Sequence, residues 1–151
     1  MKTIVHCSTM HLPFLGHMLQ YQYSPKAVCI CCVEAETGKP LAGVIYDAYN
    51  GAIVMAHIWV EDLFTPSRDW IAAIFDYPFN QLGVKKIIGQ VNSSNAEAIK
   101  LDEHFGFELE CEVKEFYETG ASLLVYSMNR SQCRVLNSPL WAKVIERVSR
   151  A

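Results

Sequence analysis

Apolar and polar positions along this chain alternate between two periods, one suited to strands and one to helices, and the switches between them mark out its elements. Lys2 to Cys7 reads as a first strand, and Ser8 or Thr9 can cap a helix from about Met10 to Tyr21. Pro13 falls in the first turn of that helix, where a missing N–H costs little. Leu15, Met18, Leu19 and Gln22 follow at helical spacing. Ala27 to Ala35 is a strand of buried type, Thr37-Gly38-Lys39-Pro40 a turn, and Leu41 to Tyr49 the returning strand. Asn50-Gly51 signals a tight hairpin, because both residues tolerate the positive φ of a type I′ turn. Ala52 to Val60 then becomes the next antiparallel neighbour.

After Val60 the pattern changes. Glu61-Asp62-Leu63-Phe64-Thr65-Pro66-Ser67 is a loop leading into a helix, with Thr65 as N-cap and Pro66 at the first position, or Ser67 in the cap role. Trp70, Ile71, Ile74, Phe75 and Phe79 keep helical spacing as far as Leu82-Gly83, and Pro78 predicts a kink near Tyr77. Val84 to Val91 is a strand entered from a helix, hence a parallel neighbour of Ala52 to Val60 through a right-handed crossover. Asn92 to Asn95 is a polar turn, with Asn95 or Ser94 able to cap a helix from Ala96 to Phe105 that stops at Gly106. Strands follow at about Phe107 to Phe116 and Ser122 to Met128, and Ser138 to Val148 predicts a last amphipathic helix opened by Pro139. The order is β-α-β-β-β-α-β-α-β-β-α, a mixed α/β or α+β sheet with helices on both faces.

Composition narrows the class. With 151 residues, 51% hydrophobic and 19% charged, the chain is expected to form one domain, 1–151, with a single core. No apolar run approaches the roughly 20 residues needed to cross a bilayer, and His6, Ser8 and Thr9 interrupt the start before a signal-like core develops. The expectation is a cytoplasmic protein without a membrane partner. Cys29, Cys31 and Cys32 lie in a Val/Ile-rich run, where cysteine behaves as a small buried hydrophobe, and they lack paired metal-ligand spacing. Reduced thiols and no metal are expected. A net charge of −3 lacks the basic footprint of phosphate-backbone binding, so no nucleic acid is expected either.

Two stretches carry a family resemblance. Val91, Asn92, Asn95, Ala98, Ile99, Leu101, Gly106 and Phe107 form a strand end, a two-asparagine turn and an Ala/Leu helix closing on Gly-Phe. Upstream, Phe75-Asp76-Tyr77-Pro78-Phe79-Asn80-Gln81-Leu82-Gly83-Val84-Lys85-Lys86-Ile87 joins the second half of a central helix to the next strand. Both resemble the Gcn5-related N-acetyltransferase family, and the second resembles its ribosomal-protein-acetylating branch. The topology covers about residues 2–130, the motifs about 75–107.

The resemblance implies a mixed, mostly antiparallel sheet of six to seven strands and acetyl-CoA as cosubstrate. It implies that the strands carrying Ala52 to Val60 and Lys85 to Val91 splay, admitting the pantetheine arm between them. Backbone groups of Ile58, Trp59 and Val60 would bond that arm and polarise the thioester. Asn92 and Asn95 would reach the cofactor, and an acceptor amine, expected on a protein or peptide, would attack the thioester directly. His57 and Glu61 are the candidate bases, since a histidine of reference pKa about 6.5 and a strand-end glutamate both suit amine deprotonation.

Two departures from the family stand out. The Gly-rich pyrophosphate loop is replaced by Glu61 to Arg68, with no glycine and two acids, leaving Ser67 and Arg68 as substitute donors. A carboxylate 4 Å from a phosphate oxygen costs roughly 4 kcal/mol at an effective dielectric of about 20, and far less when turned into water. Asp102 stands where many members carry a tyrosine that protonates the leaving thiolate. An aspartate of ordinary pKa about 3.9 is ionised at pH 7 and would repel that thiolate.

Each candidate also has a plainer reading. His57 fits a packed strand histidine, Glu61 a solvated loop acid, His104 a dipole-favoured helix end, and Ser93 and Ser94 turn residues. Tyr46, Tyr49 and Trp59 fit core or cross-strand aromatics as well as an acceptor groove. The last helix is a docking face, for this domain or for a second copy in a homodimer. The leading expectation is an N-acyltransferase; the alternative is a binding module that keeps the fold without catalysis.

Overall fold

The computed structural model describes residues 2–62 and 66–150. β1 (Lys2–Ser8), β2 (Val28–Glu34), β3 (Pro40–Asp47) and β4 (Ile53–Val60) form an antiparallel succession, with α1 (Leu12–Leu19) between the first two. Then come α2 (Arg68–Asp76), a π-helical turn over Tyr77–Gln81, β5 (Lys86–Asn92), α3 (Ala96–Phe105), β6 (Glu108–Val113) and β7 (Leu123–Asn129). α4 (Arg134–Asn137) and α5 (Ala142–Ser149) close the chain, preceded by 3-10 turns over Arg130–Gln132 and Pro139–Trp141. The sheet has seven strands in the order β1-β2-β3-β4-β5-β7-β6, and β4 with β5 is its parallel pair. That is the mixed, mostly antiparallel sheet of six to seven strands that the family resemblance implies.

The two sheet faces are packed separately. One carries Ile30, Val44, Tyr46, Val54, Ile87 and Met128 against Trp70, Ile74 and Phe75 of α2, with Phe105 of α3 edge-on to Phe75. The other carries Cys29, Cys31 and Ile45 under Leu12 and Leu15 of α1. Gly43 makes the second contact close: a Cβ there would lie 2.6 Å from the Leu15 side chain. Gly106 accounts for the Gly-Phe signal. It ends α3 at φ 110, and a Cβ on it would fall 2.2 Å from the Gln132 carbonyl oxygen, so side chain and backbone conformation both exclude other residues.

Several local expectations are corrected. β3 ends at Asp47 and β4 begins at Ile53, so Asn50-Gly51 is not a two-residue type I′ turn. Ala48 and Gly51 take the positive φ values, 56° and 94°, while Asn50 Oδ1 accepts from the N–H groups of Ala52 and Ile53. The asparagine closes its own backbone loop instead of sitting at the turn's centre. Ser67 caps α2, accepting from Trp70 N–H at 3.2 Å; the Thr65 alternative lies outside the described residues. At Pro78 the helix widens into a π turn, because the proline has no N–H to continue the ladder. The final helix is shorter than expected, since Pro139–Trp141 is a 3-10 turn and the α-helix begins at Ala142. All six cysteines are free, and Cys29, Cys31 and Cys32 are buried in β2.

Candidate active site

β4 and β5 pair only over Ile53–Met55 and Lys86–Ile88, after which the two strands part. From Ala56 onward β4 has no strand on its β5 side among the described residues. Register decides which of its groups face the gap. Glu61 N–H donates to the Leu41 carbonyl, so in this antiparallel pair the odd-numbered residues His57, Trp59 and Glu61 turn their backbone groups to β3. The N–H and C=O groups of Ile58 and Val60 are left pointing into the gap. Of the three residues expected to offer backbone donors, Trp59 is therefore the exception, and its ring packs edge-on to Phe14 at 5.2 Å on the α1 face.

The gap is a cleft of about 390 Å³. Its walls include Ala56, His57, Ile58, Gly89, Asn92, Asn95, Leu101 and Asp102, with Leu19, Gln20 and Tyr117 on the α1 side. A second groove of about 380 Å³, bounded by Val60, Glu61, Asp62 and Glu97, shares Ile58, Asn95, Ala98 and Leu101 with it. From Ala56 to Val60 the strand spans about 13 Å. An extended arm lying along it meets apolar walls and two sets of unpaired peptide groups, which suits pantetheine. The residues at the gap fit the acyl-CoA arm.

His57 lies in the cleft, stacked on the Tyr21 ring at 3.8 Å, and its Nε2 is buried without a partner among the described residues. Burial pushes its imidazole down to about 4, against the opposing charge of Asp47. The side chain is thus neutral at pH 7. Asp47 itself is occupied: it accepts from the Tyr21 hydroxyl, the Ser24 hydroxyl and N–H, and Ala48 N–H. Burial would raise its pKa, but those donors outweigh it and hold the group at about 2.

Asp102 overturns its sequence-based reading. It is 8% exposed in the cleft wall, and burial, helped by the charge of Glu103, pushes its carboxyl up to about 7. At neutral pH a large share of this group carries its proton, so it is not the obligate anion an ordinary aspartate would be.

The remaining candidates are placed as follows. Asn95 caps α3, accepting from Ala98 N–H at 3.1 Å, and borders both cavities. Asn92 accepts from the Ser94 N–H and hydroxyl, holding the turn that lines the cleft. Glu61 sits at the outer groove rather than beside His57, and its carboxylate pairs with Lys39 at 3.0 Å. Lys39, a turn residue that sequence reasoning passed over, thereby offsets one of the two acids near the mouth. Ser67 uses its oxygen as the α2 cap. Arg68 turns to the C-terminal segment, donating to the Leu140 carbonyl and lying 4.7 Å above the Trp141 ring. Gly89 was also passed over, although a glycine inside a strand pattern signals close approach of another group. His104 and Tyr49 line neither cavity, and Tyr46 donates to the Ile74 carbonyl in the core. Among the described residues no group of three or more His, Cys, Asp or Glu is arranged to hold a metal, and no helix is long and apolar enough to cross a membrane.

Comparison with solved structures gives the same architecture. The dodecameric spermidine N-acetyltransferase from Vibrio cholerae matches with a TM-score of 0.70 at 17% identity, over 91% of this chain and 98% of that one. The spermidine/spermine N-acetyltransferase SpeG of that organism, in complex with manganese ions, matches at 0.69 and 17%, over 91% and 96%. A GNAT-family acetyltransferase from Bacillus anthracis matches at 0.57 and 12%, over 68% and 66%. No family model and no curated protein matches the sequence. The chain has the fold of the Gcn5-related N-acetyltransferases.

Proposed function

We propose that this protein is an N-acyltransferase that moves an acetyl group from acetyl-CoA to an amine on a protein or peptide. The observation that supports it most is the parting of β4 and β5 beyond Met55 and Ile88, with the Ile58 and Val60 peptide groups turned into the cleft. Those groups hold the pantetheine arm and the thioester carbonyl, with Asn92 and Asn95 shaping the wall beside it. Ser67, at the N-terminus of α2, lies toward the phosphates, with the Glu61 charge there offset by Lys39. The acceptor enters on the α1 side, past Leu19, Gln20 and Tyr117. His57 is the group facing it, and passes the amine's proton on to water as a neutral imidazole; Glu61, at the outer mouth, is too far along the strand to share that task.

A peptide amine is favoured over a polyamine because the acceptor-side walls are neutral or apolar and the nearby Asp47 is already saturated with donors. The Vibrio cholerae enzyme of the same fold is a spermidine N-acetyltransferase, which makes spermidine the natural comparison substrate. A ribosomal protein is the acceptor to try first, following the motif over residues 75–87.

One observation favours the alternative, a module that binds partners without catalysis: Arg68 is engaged by Trp141 and Leu140 instead of being free for phosphate. Calorimetry and thermal shift with acetyl-CoA separate the two. A binder of the native state raises its midpoint, by about 2.7 kcal/mol of stabilisation at a hundredfold excess over Kd. No heat and no shift at millimolar acetyl-CoA would leave the non-catalytic module.

A further inference from the structure

An arm that enters at Val60 ends where the two strands rejoin, and that closed end is built by Ala56, Gly89 and Asp102. A Cβ placed on Gly89 would lie 3.8 Å from the Ala56 carbonyl oxygen and 3.8 Å from Asp102 Oδ2. Asp102 reaches this point from the last turns of α3, and its main-chain carbonyl is tied by the N–H groups of Gly106 and Phe107. The backbone beneath the carboxyl is fixed while the carboxyl itself faces the cleft. Among the described residues no donor meets it; its surroundings act through burial and through Glu103.

We propose that Asp102 is the acid that protonates the departing sulfur, an assignment that rests on the acyl-transfer reading above. The acceptor nitrogen bonds to the acetyl carbon, and the carbon–sulfur bond breaks with its electron pair going to sulfur. The Asp102 proton passes to that sulfur. The nitrogen releases one proton to water and Asp102 regains one from the bulk, so the net products are an amide and a free thiol. The groups around the carboxyl keep it supplied with a proton. His57 on β4 is neutral, Glu103 beside it on α3 helps to raise the pKa of the carboxyl, and the Tyr126 hydroxyl from β7 donates to Glu103 at 3.4 Å. Tyr117, in the segment between β6 and β7, completes the wall without adding a cation. A carboxylic acid that titrates near the working pH is suited to donating a proton and recovering it within each turnover.

The experiment compares wild type, Asp102→Asn and Asp102→Tyr with two acetyl donors: acetyl-CoA, and an S-acetyl aryl thioester whose thiolate needs no proton to leave. With acetyl-CoA, Asp102→Asn is expected to lower kcat at least tenfold and to change the acetyl-CoA KM less than threefold. With the aryl thioester the deficit shrinks to under threefold. Asp102→Tyr, which restores a proton donor of higher pKa, regains part of the rate and moves the alkaline limb of the kcat profile upward. A readout independent of turnover is the thermal midpoint, where Asp102→Asn should gain on wild type as pH rises from 4 to 7. An Asp102→Asn kcat within twofold of wild type, equal losses with both donors, or midpoints that stay parallel with pH would each overturn the assignment. Failure of the wild type to bind acetyl-CoA would instead remove the acyl-transfer reading itself, and this assignment with it.

Discussion

Burial acts with opposite sign on His57 and Asp102 in the cleft wall. It favours the protonated Asp102 carboxyl and the unprotonated His57 imidazole, because in each case the charged form is the one that loses water. For His57 the unfolded chain takes up a proton near pH 6.5 and the folded one only near 4. Its contribution to stability is therefore complete above pH 6.5 and is lost as pH falls toward 4, to a limit of about 3 kcal/mol. Asp102 has the reverse slope, full below about pH 3.9 and lost as pH rises through about 7, so wild type shows less pH dependence than either group alone. His57→Gln should therefore gain on wild type in denaturation midpoint as pH drops from 6.5 to 4, and a constant difference would show that His57 is not held neutral. The places of His57, Asp102 and Asn95 were legible from strand position and motif. Their protonation states were not, since these depend on what distant segments pack over them. Lys39 and Asp47 carried no local signal at all: the first acts from the turn before β3 on Glu61 at the end of β4, and the second on a loop more than twenty residues away.

At the scale of elements, the sequence order was enough to anticipate β4 and β5 as parallel neighbours joined through α2. It did not show where they separate, because hydrophobic alternation is the same in a paired strand and in one whose partner has veered off. Gly89 marks the place. Its missing side chain leaves the crotch open, with only ordinary contacts awaiting a Cβ. Gly89→Val should leave the fold intact, since a β-branched residue suits a strand paired to β7, while raising the acetyl-CoA KM at least tenfold by filling the inner end of the cleft. Unchanged KM with an unchanged circular dichroism spectrum would mean that the arm does not reach that far. The turn between β3 and β4 and the division of the last helix were also missed. In both, a side chain or a proline bonded or blocked its own backbone, a local competition that periodicity does not register.

Over the whole molecule, the C-terminal segment is fastened along α2 at both ends. Near the start, Arg68 meets Trp141 and Asp69 meets Arg147; at the far end, the Ser149 hydroxyl donates to buried Asp76 at 2.8 Å, beside Asn80 and Gln81. These fastenings differ in depth. Removing the exposed pair with Arg147→Ala should cost under about 1 kcal/mol, whereas Asp76→Ala removes a buried carboxylate that accepts from Asn80, Gln81 and Ser149 and should cost about 2 kcal/mol in urea denaturation. Equal costs would mean that the buried carboxylate is not what holds α5. The sheet and its helices followed from the order of elements, while the cleft through the sheet appeared only once both faces were packed. That cleft has walls from α1 on one face and α3 on the other. On the reading proposed above, donor and acceptor approach from opposite sides of the sheet, and neither has to vacate its place for the other to arrive. On that reading the two reside on the protein together, and the order of their arrival becomes a matter of relative concentration instead of a sequence imposed by a single shared entrance.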